Sequence, residues 1–468
     1  MPASPINKLK SFFQHPNLIS VLIITGLYFL SRVLGFGRTI VTYQNLTRLE
    51  ADLLSNADKI PNIIATIFLM GTIFSSVLPV VSRLEARSRE EVNRYISIIT
   101  VIIMSVLVVV LGLCWWQMDW MLELITSKEI IKQAYQAELW DMYLLTARLS
   151  LLIPFNFAIQ AIGGVLLNFN KKFFIFSLAG TIANIGSIAG LYFTKGDFIK
   201  VAIGMITAVS VSSLLYLWAC LKLKYNFKLN VLIPTKFISE VRAFGPELRQ
   251  TIKVFLPRLL LIDGLVVANL IIGRIATSEG QTFAFETAAS IQGTFLIIVS
   301  SLGMVFFPDL SRILNDKTLG VMVFWEHLSK YLKTAVLLGL FISLLSTFGS
   351  YWVMKLFELA GKGQNNADYI VLLAQISSFR LFFQAIKEIL DKYMYAKEKQ
   401  WAPMWLSIGG ITGQIVVFAF LSIANLDAGI MAMLMLLTYY MVWCLLAVQV
   451  VSADYHRDLP EKYKIYNP

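Results

Sequence analysis

Apolar and polar positions along this chain separate on the scale of whole helices, not of single turns. Runs of about twenty apolar residues, the length that crosses ~30 Å of hydrocarbon, occupy 18–40, 61–82, 96–118, 142–167, 173–194, 199–221, 254–276, 283–308, 332–354, 369–394, 401–424 and 427–451. Short polar stretches divide them. In lipid a spanning backbone must satisfy its own N–H and C=O groups, so the pattern predicts an all-α integral membrane protein with about 12 transmembrane helices.

Composition agrees with that reading. Of 468 residues, 57% are hydrophobic and 15% charged, against about 45–50% and about 25% in soluble domains. The basic N-terminus, with Lys8 and Lys10, leads into an apolar segment that continues through Tyr28, Arg32 and Gly37. No small-residue cleavage pattern interrupts it, so it reads as a retained first helix. Cys114, Cys220 and Cys444 lie in or beside apolar spans without metal-ligand spacing, which indicates packing and no disulfide framework.

The net charge of +11 is distributed by topology. Alternate loops hold Arg83, Arg87, Arg89 and Arg94, then Lys171 and Lys172, then the group from Lys222 to Arg249, then Arg312 and Lys317, Lys397 and Lys399, and finally Arg457, Lys462 and Lys464. The opposite loops are sparse and mixed, as in Glu123, Lys128, Glu129, Lys132 and Glu138. The positive-inside rule then puts both termini on the cytoplasmic side of a cytoplasmic (inner) membrane. A bias that follows topology loop by loop excludes a nucleic-acid partner as the source of the basic charge.

The chain also resembles itself. Leu78-Pro79-Val80-Val81-Ser82-Arg83-Leu84 matches Phe307-Pro308-Asp309-Leu310-Ser311-Arg312-Ile313, with 229 positions from Pro79 to Pro308. Ser31-Arg32-Val33-Leu34 echoes Pro257-Arg258-Leu259-Leu260 at 226, and Gln160-Ala161-Ile162 returns as Gln384-Ala385-Ile386 at 224. Asn184-Ile185 aligns with Gln414-Ile415 at 230. The expected organisation is two pseudo-symmetric six-helix lobes, 1–228 and 251–468, joined by a cytoplasmic linker at 229–250. Each lobe has an even number of spans, so the repeats run parallel around a central cavity, the usual place for a transport site.

Charges inside apolar spans are expensive, about 3 kcal/mol each on insertion scales, and point to function. Arg32 lies about 21 Å along the first helix from Leu18; Arg38 is nearer the outer surface. Asp263 falls well inside the seventh span, with Arg258 closer to the cytoplasm and Glu286 near the outer start of the eighth. Arg148 and Arg380 open spans four and ten, where structural pairing is as good a reading as substrate contact. No Gly-rich nucleotide loop with its lysine and no histidine cluster is present, His15, His327 and His456 being scattered. The reading is a transporter, not an enzyme, with no cofactor and no metal.

The segment Ser31-Arg32-Val33-Leu34-Gly35-Phe36-Gly37-Arg38 resembles the first-helix motif of the MurJ/MviN lipid II flippase family, within the multidrug/oligosaccharidyl-lipid/polysaccharide exporter superfamily. Ala51-Asp52, then Lys59-Ile60-Pro61-Asn62, Gly71, Ser75, Ser76 and Pro79-Val80 are similar to its second-helix signature. Ser301-Leu302-Gly303, Pro308-Asp309-Leu310-Ser311 and Tyr395-Ala396-Lys397 before Pro403 extend the likeness. The resemblance implies a flippase that carries a lipid-linked glycan, lipid II above all, to the outer leaflet by alternating access. It implies substrate contact by Arg32, Arg38, Asp52, Lys59, Asn62 and Arg258, because arginine suits phosphate. Asp263 and Glu286 would pair with a cation or couple transport to a proton or sodium. Its partners would be the lipid-linked substrate and membrane lipids, with no oligomer required.

The chain also departs from the family. Thr39 follows Arg38 where many members have aspartate; Ala65, Met70 and Ala289 stand where arginine, glutamate and arginine are common. About twelve spans replace a frequent fourteen. A different polyprenyl-linked oligosaccharide therefore stays open as cargo. A multidrug antiporter would need an acidic cavity, and a membrane glycosyltransferase or ligase would need sizeable outer loops with carboxylates.

Overall fold

The structure is a computed structural model that describes residues 16–68, 72–194, 197–228, 231, 233–315, 321–360, 367–397 and 399–458. The described residues are helical apart from short connections. Eight helices are long and apolar enough to cross a membrane, and Gly245–Leu259 with Gly264–Ile275 qualify together as one bent span. The sequence leads one to expect about twelve. The other three segments, 18–40, 61–82 and 283–308, lie on helices Pro16–Asn45, Arg48–Phe68 with Thr72–Glu85, and Gln281–Asn315; each includes positions outside the described residues or side chains.

In chain order the helices are α1 (Pro16–Asn45), α2 (Arg48–Phe68), α3 (Thr72–Glu85), α4 (Arg89–Trp116), α5 (Met118–Ile125), α6 (Lys128–Gln136), α7 (Trp140–Ser150), α8 (Leu152–Phe169) and α9 (Phe173–Thr194). They continue with α10 (Phe198–Lys222), α11 (Pro234–Ala243), α12 (Gly245–Leu259), α13 (Gly264–Ile275), α14 (Gln281–Asn315), α15 (Val321–Ala360), α16 (Ala367–Ala396), α17 (Ala402–Ile423) and α18 (Ala428–Asp458). Local chemistry sets many of their starts. Thr47 and Glu50 form a reciprocal capping box ahead of α2: the Thr47 amide donates to Glu50 at 2.7 Å and the Glu50 amide to Thr47 Oγ1 at 3.2 Å. Ser88, Ser127, Asp197 and Asp263 cap α4, α6, α10 and α13 in the same spirit.

The chain divides into two compact units. The first comprises Met1–Leu122 and Glu138–Leu256, the second Glu123–Ala137 and Pro257–Pro468. In the first, α9 packs on both α1 and α10. Small residues allow the approach: a Cβ on Gly190 would lie 3.4 Å from Gly204 Cα, and one on Gly37 would lie 3.3 Å from Ile188. Without a hydrophobic difference between helix and lipid, such close packing and interhelical hydrogen bonds hold helices together. At the basic end of this unit, Arg94 binds Glu240 of α11 at 2.8 Å, Arg83 donates to Gln250, and Tyr95 shares a 2.6 Å hydrogen bond with Thr251 of α12. Within the stretch expected as a cytoplasmic linker, residues 234–243 and 245–250 are helical and tied to α3 and α4.

In the second unit α16 is central, packed against α14, α15 and α18, while α18 also meets α13 and α17. Tyr439 of α18 is fully buried, and any Cβ added to Gly264 or Gly410 would overlap its ring. Those glycines make the space that this tyrosine fills.

Candidate functional site

Two polar clusters stand out inside the units. In the first unit α2 presents Asp52, Asn56 and Lys59 at spacings of four and three, which puts them on one helix face. They are 0%, 0% and 5% exposed. Neither amide atom of Asn56 has a hydrogen-bond partner. Leaving a buried amide unmade costs about 1–3 kcal/mol, which sets Asn56 apart from hydrogen-bonded polar groups of this helix such as Asp58. Pro61 sits in the same helix, two residues beyond Lys59, where it removes one backbone donor and loosens the turn. Alongside, Asp58 accepts a 3.0 Å hydrogen bond from Ser150 of α7 and feels the charge of Arg38 of α1. The cluster thus draws on three helices.

The other residues singled out from the sequence have different settings. Arg32 is exposed on α1, Arg38 is half-buried, and Asn62 is exposed on α2. Ala65, one of the positions departing from the family pattern, is 1% exposed. Met70, Gly71, and the side chains of Ser75, Ser301, Pro308, Asp309 and Ser311 lie outside the described residues or side chains.

In the second unit Asp263 occupies the break between α12 and α13. One carboxylate oxygen caps α13 by accepting from Leu265 N at 2.9 Å, and Tyr440 of α18 donates to the same carboxylate at 3.1 Å. Gln384 of α16 in turn donates to the Tyr440 oxygen at 2.9 Å. Further along α16, Lys387 binds Asp391 at 2.6 Å, both side chains about one-eighth exposed, and the ammonium lies 4.8 Å from the Trp443 ring centroid. Arg258 lies 4.6 Å from the ring centroid of Tyr395, a cation–π arrangement. Glu286 is half-buried on α14.

Arg380 is the most deeply placed arginine described here, 1% exposed. One guanidinium nitrogen reaches the main-chain oxygen of Ala289 at 3.4 Å, while its Nε and Nη1 have no hydrogen-bond partner. A span-eight arginine is typical of the resembled family at Ala289; here a guanidinium arrives at that place from a different helix. Arg380, Gln384, Lys387 and Asp391 recur at spacings of four, three and four, one face of α16. Its sequence signal is polar residues at helical period inside an apolar span, which no single charge displays. Among the described residues no group of three or more His, Cys, Asp or Glu side chains could hold a metal ion.

The sequence model of the family described as "MurJ: Lipid II flippase MurJ" matches residues 47–456, most of the chain. The chain belongs to the lipid II flippase MurJ family. A Rickettsia prowazekii (strain Madrid E) protein named "Probable lipid II flippase MurJ" is 22% identical over 340 residues, 70% of this chain and 62% of that relative's length. Among solved structures, a lipid II flippase MurJ in an inward closed conformation superposes with a TM-score of 0.68 at 18% identity, covering 94% of each chain. An inward-facing multidrug resistance MATE family transporter of the MOP superfamily follows at 0.66 and 15% identity, covering 93% of this chain and 98% of that one. At these identities the structures show a shared fold. The MurJ family assignment accounts for a multi-pass, all-helical membrane chain; Asp52, Asn56, Lys59, Asp58 and the second cluster lie within the matched residues, while Arg38 of α1 lies before them.

Proposed function

We propose that this protein is a flippase that moves lipid II, a lipid-linked glycan precursor of peptidoglycan, from the cytoplasmic to the outer leaflet by alternating access. The carrying observation is the buried Asp52–Asn56–Lys59 face of α2, with Arg38 and Asp58 beside it, in a chain of the MurJ family. A cargo with a pyrophosphate and amide-bearing sugars needs fixed cations and neutral amides sheltered from hydrocarbon. Lys59, Arg38 and Arg32 supply the cations for the pyrophosphate, with Arg258 on the second lobe. Asp52 and Asp58 orient them, and Asn56 and Asn62 supply amides for the glycan.

The lobes proposed for this cycle are 1–228 and 251–468, in a cytoplasmic membrane with both termini inside. No step needs a nucleotide. An anion leaving a negative interior moves downhill by about 2.3 kcal/mol per charge per 100 mV. Asp263, tethered by Tyr440, is the group for a coupling proton or sodium, with Glu286 the second candidate.

A second cargo of the same class, another polyprenyl-linked oligosaccharide, is favoured by the apolar residues at Ala65 and Ala289. The test is complementation of bacteria depleted of their own lipid II flippase, followed by an enzyme that cleaves only outward-facing lipid II. Restored growth and cleavage, lost again in Arg38→Ala, support lipid II. Normal protein abundance without cleavage moves the assignment to the other lipid-linked glycan.

A further inference from the structure

Outside both polar clusters, the first unit carries a cavity of about 630 Å³ walled by α4, α8 and α10. Its wall on α4 runs from Ser97 to Val109, about 18 Å at 1.5 Å per residue. That is close to half of a ~30 Å hydrocarbon core, the depth of one leaflet. The lining is methyl-rich, with Met104, Ile159 and Leu217 among it, and Val108 and Val109 are 59% and 62% exposed. The groove is therefore open sideways at its Val108–Val109 end, where an acyl chain can enter from the bilayer.

One end is different. Lys228 closes it, on the side where basic residues gather at Arg89, Lys222 and Lys224. The chain there is fixed: the Lys228 amide donates to Ser97 Oγ at 2.8 Å and the Asn226 amide to Asn93 Oδ1 at 3.3 Å. Its ammonium pairs with Glu90 at 2.6 Å, the two side chains 36% and 57% exposed. An exposed pair of this kind contributes little, so a phosphate can take over the ammonium at small cost. Lys222, six residues earlier in the chain, lies 5.1 Å from the ring centroid of Trp218.

We propose that this groove is a binding site for an anionic phospholipid of the cytoplasmic leaflet, one acyl chain along α4 and the phosphate at Lys228. A cation at one end and a slot one leaflet long fit a phospholipid; a transbilayer prenyl chain would need twice the depth. The site is separate from the cargo residues, and its test does not depend on what the cargo is.

The experiment is native mass spectrometry of the full-length protein in detergent, supplemented with phosphatidylglycerol or phosphatidylcholine of identical chains. The wild type should retain the anionic lipid preferentially. Lys228→Ala should cut that preference about fivefold, Glu90→Gln should raise it, and Val101→Trp, which fills the slot, should reduce retention of both lipids. Equal retention of the two lipids by the wild type, a preference unchanged in Lys228→Ala, or retention unchanged in Val101→Trp would each overturn the proposal. Far-ultraviolet circular dichroism and a melting curve on each variant separate lost binding from lost folding; if Val101→Trp unfolds, Ser105→Trp replaces it in the same wall.

Discussion

Asn184 donates its side-chain amide to the main-chain oxygen of Ser31 across 2.7 Å, binding α9 to the middle of α1. The second unit has a counterpart: Gln414, aligned with Asn184 at an offset of 230, donates to the Gly264 oxygen of α13 at 3.0 Å. A second pair repeats as well. Gln160 donates to Ser213 at 3.1 Å in one unit and Gln384 to Tyr440 at 2.9 Å in the other. Amides at matching places in the two halves of the sequence thus join α9 to α1 and α17 to α13, and α8 to α10 and α16 to α18.

Asn184→Leu removes a donor between α1 and α9 while keeping the volume apolar. Interhelical hydrogen bonds in membranes average about 0.6 kcal/mol, so a loss of roughly 0.5–1.5 kcal/mol is expected. A thermal melt in detergent should show a drop of a few degrees, with the Ser31→Ala variant falling by less because the bond to the Ser31 oxygen is made by its backbone.

Gly264→Ala should be costlier. The added Cβ overlaps the ring of buried Tyr439, and overpacking of this kind costs about 1–3 kcal/mol. Gly410→Ala meets the same ring, so the double variant should lose less than the sum of the single losses. Strict additivity in the melts would mean that the two glycines do not share a neighbour.

Lys387 and Asp391 form a nearly buried ion pair. Breaking one partner strands the other charge, at about 3–5 kcal/mol, whereas replacing both with apolar residues is close to neutral. Lys387→Met alone should therefore collapse the yield of folded protein, and Lys387→Met with Asp391→Leu should recover it. If the double variant is as unstable as the single one, the pair is holding more than itself in place.

Arg38 and Asp58 act on each other across α1 and α2. Arg38→Ala should lower outward delivery of lipid II by roughly tenfold to a hundredfold, the scale of a lost charge-assisted hydrogen bond, at unchanged abundance. Asp58→Asn, which keeps the acceptor for Ser150, should cost less. Immunoblots paired with the cleavage assay measure both; equal delivery by wild type and Arg38→Ala would remove Arg38 from the cargo site.

Asp197 caps α10 outside the span, and the hydrogen bond from Lys200 holds its carboxyl below the ordinary carboxylate range. The sign follows directly: a depressed folded-state value contributes stability above the unfolded value, and that contribution disappears as pH falls through the folded one. Asp197→Asn should therefore narrow the difference in melting temperature between pH 7 and strongly acidic buffer. A difference identical to the wild type would show that the cap carries no pH dependence.

Much of this protein was determined by sequence alone, because lipid imposes a rule that needs no partner. A run of twenty apolar residues in lipid is driven to be helical, so segments such as 96–118, 142–167, 401–424 and 427–451 could be drawn from the amino acids, and loop charge could be read without coordinates. The repeat was legible for the same reason, as matching residues at nearly constant offset. Asp52, Asn56 and Lys59, and likewise Arg380, Gln384, Lys387 and Asp391, share helix faces by their spacing, but the charges considered one at a time did not reveal either face. Spacing names a face and is silent about what lies opposite. The sequence left open whether Asp263 pairs with a cation or binds a coupling ion; the fold places the ring of Tyr395 beside Arg258 and the hydroxyl of Tyr440 on Asp263. Arg38 comes within electrostatic reach of Asp58, Arg380 arrives at Ala289, and Asn56 has no hydrogen-bond partner among the described residues. Those pairings belong to tertiary structure alone, since a polar group inside a bilayer must be answered by another helix, and only packing decides which one comes near.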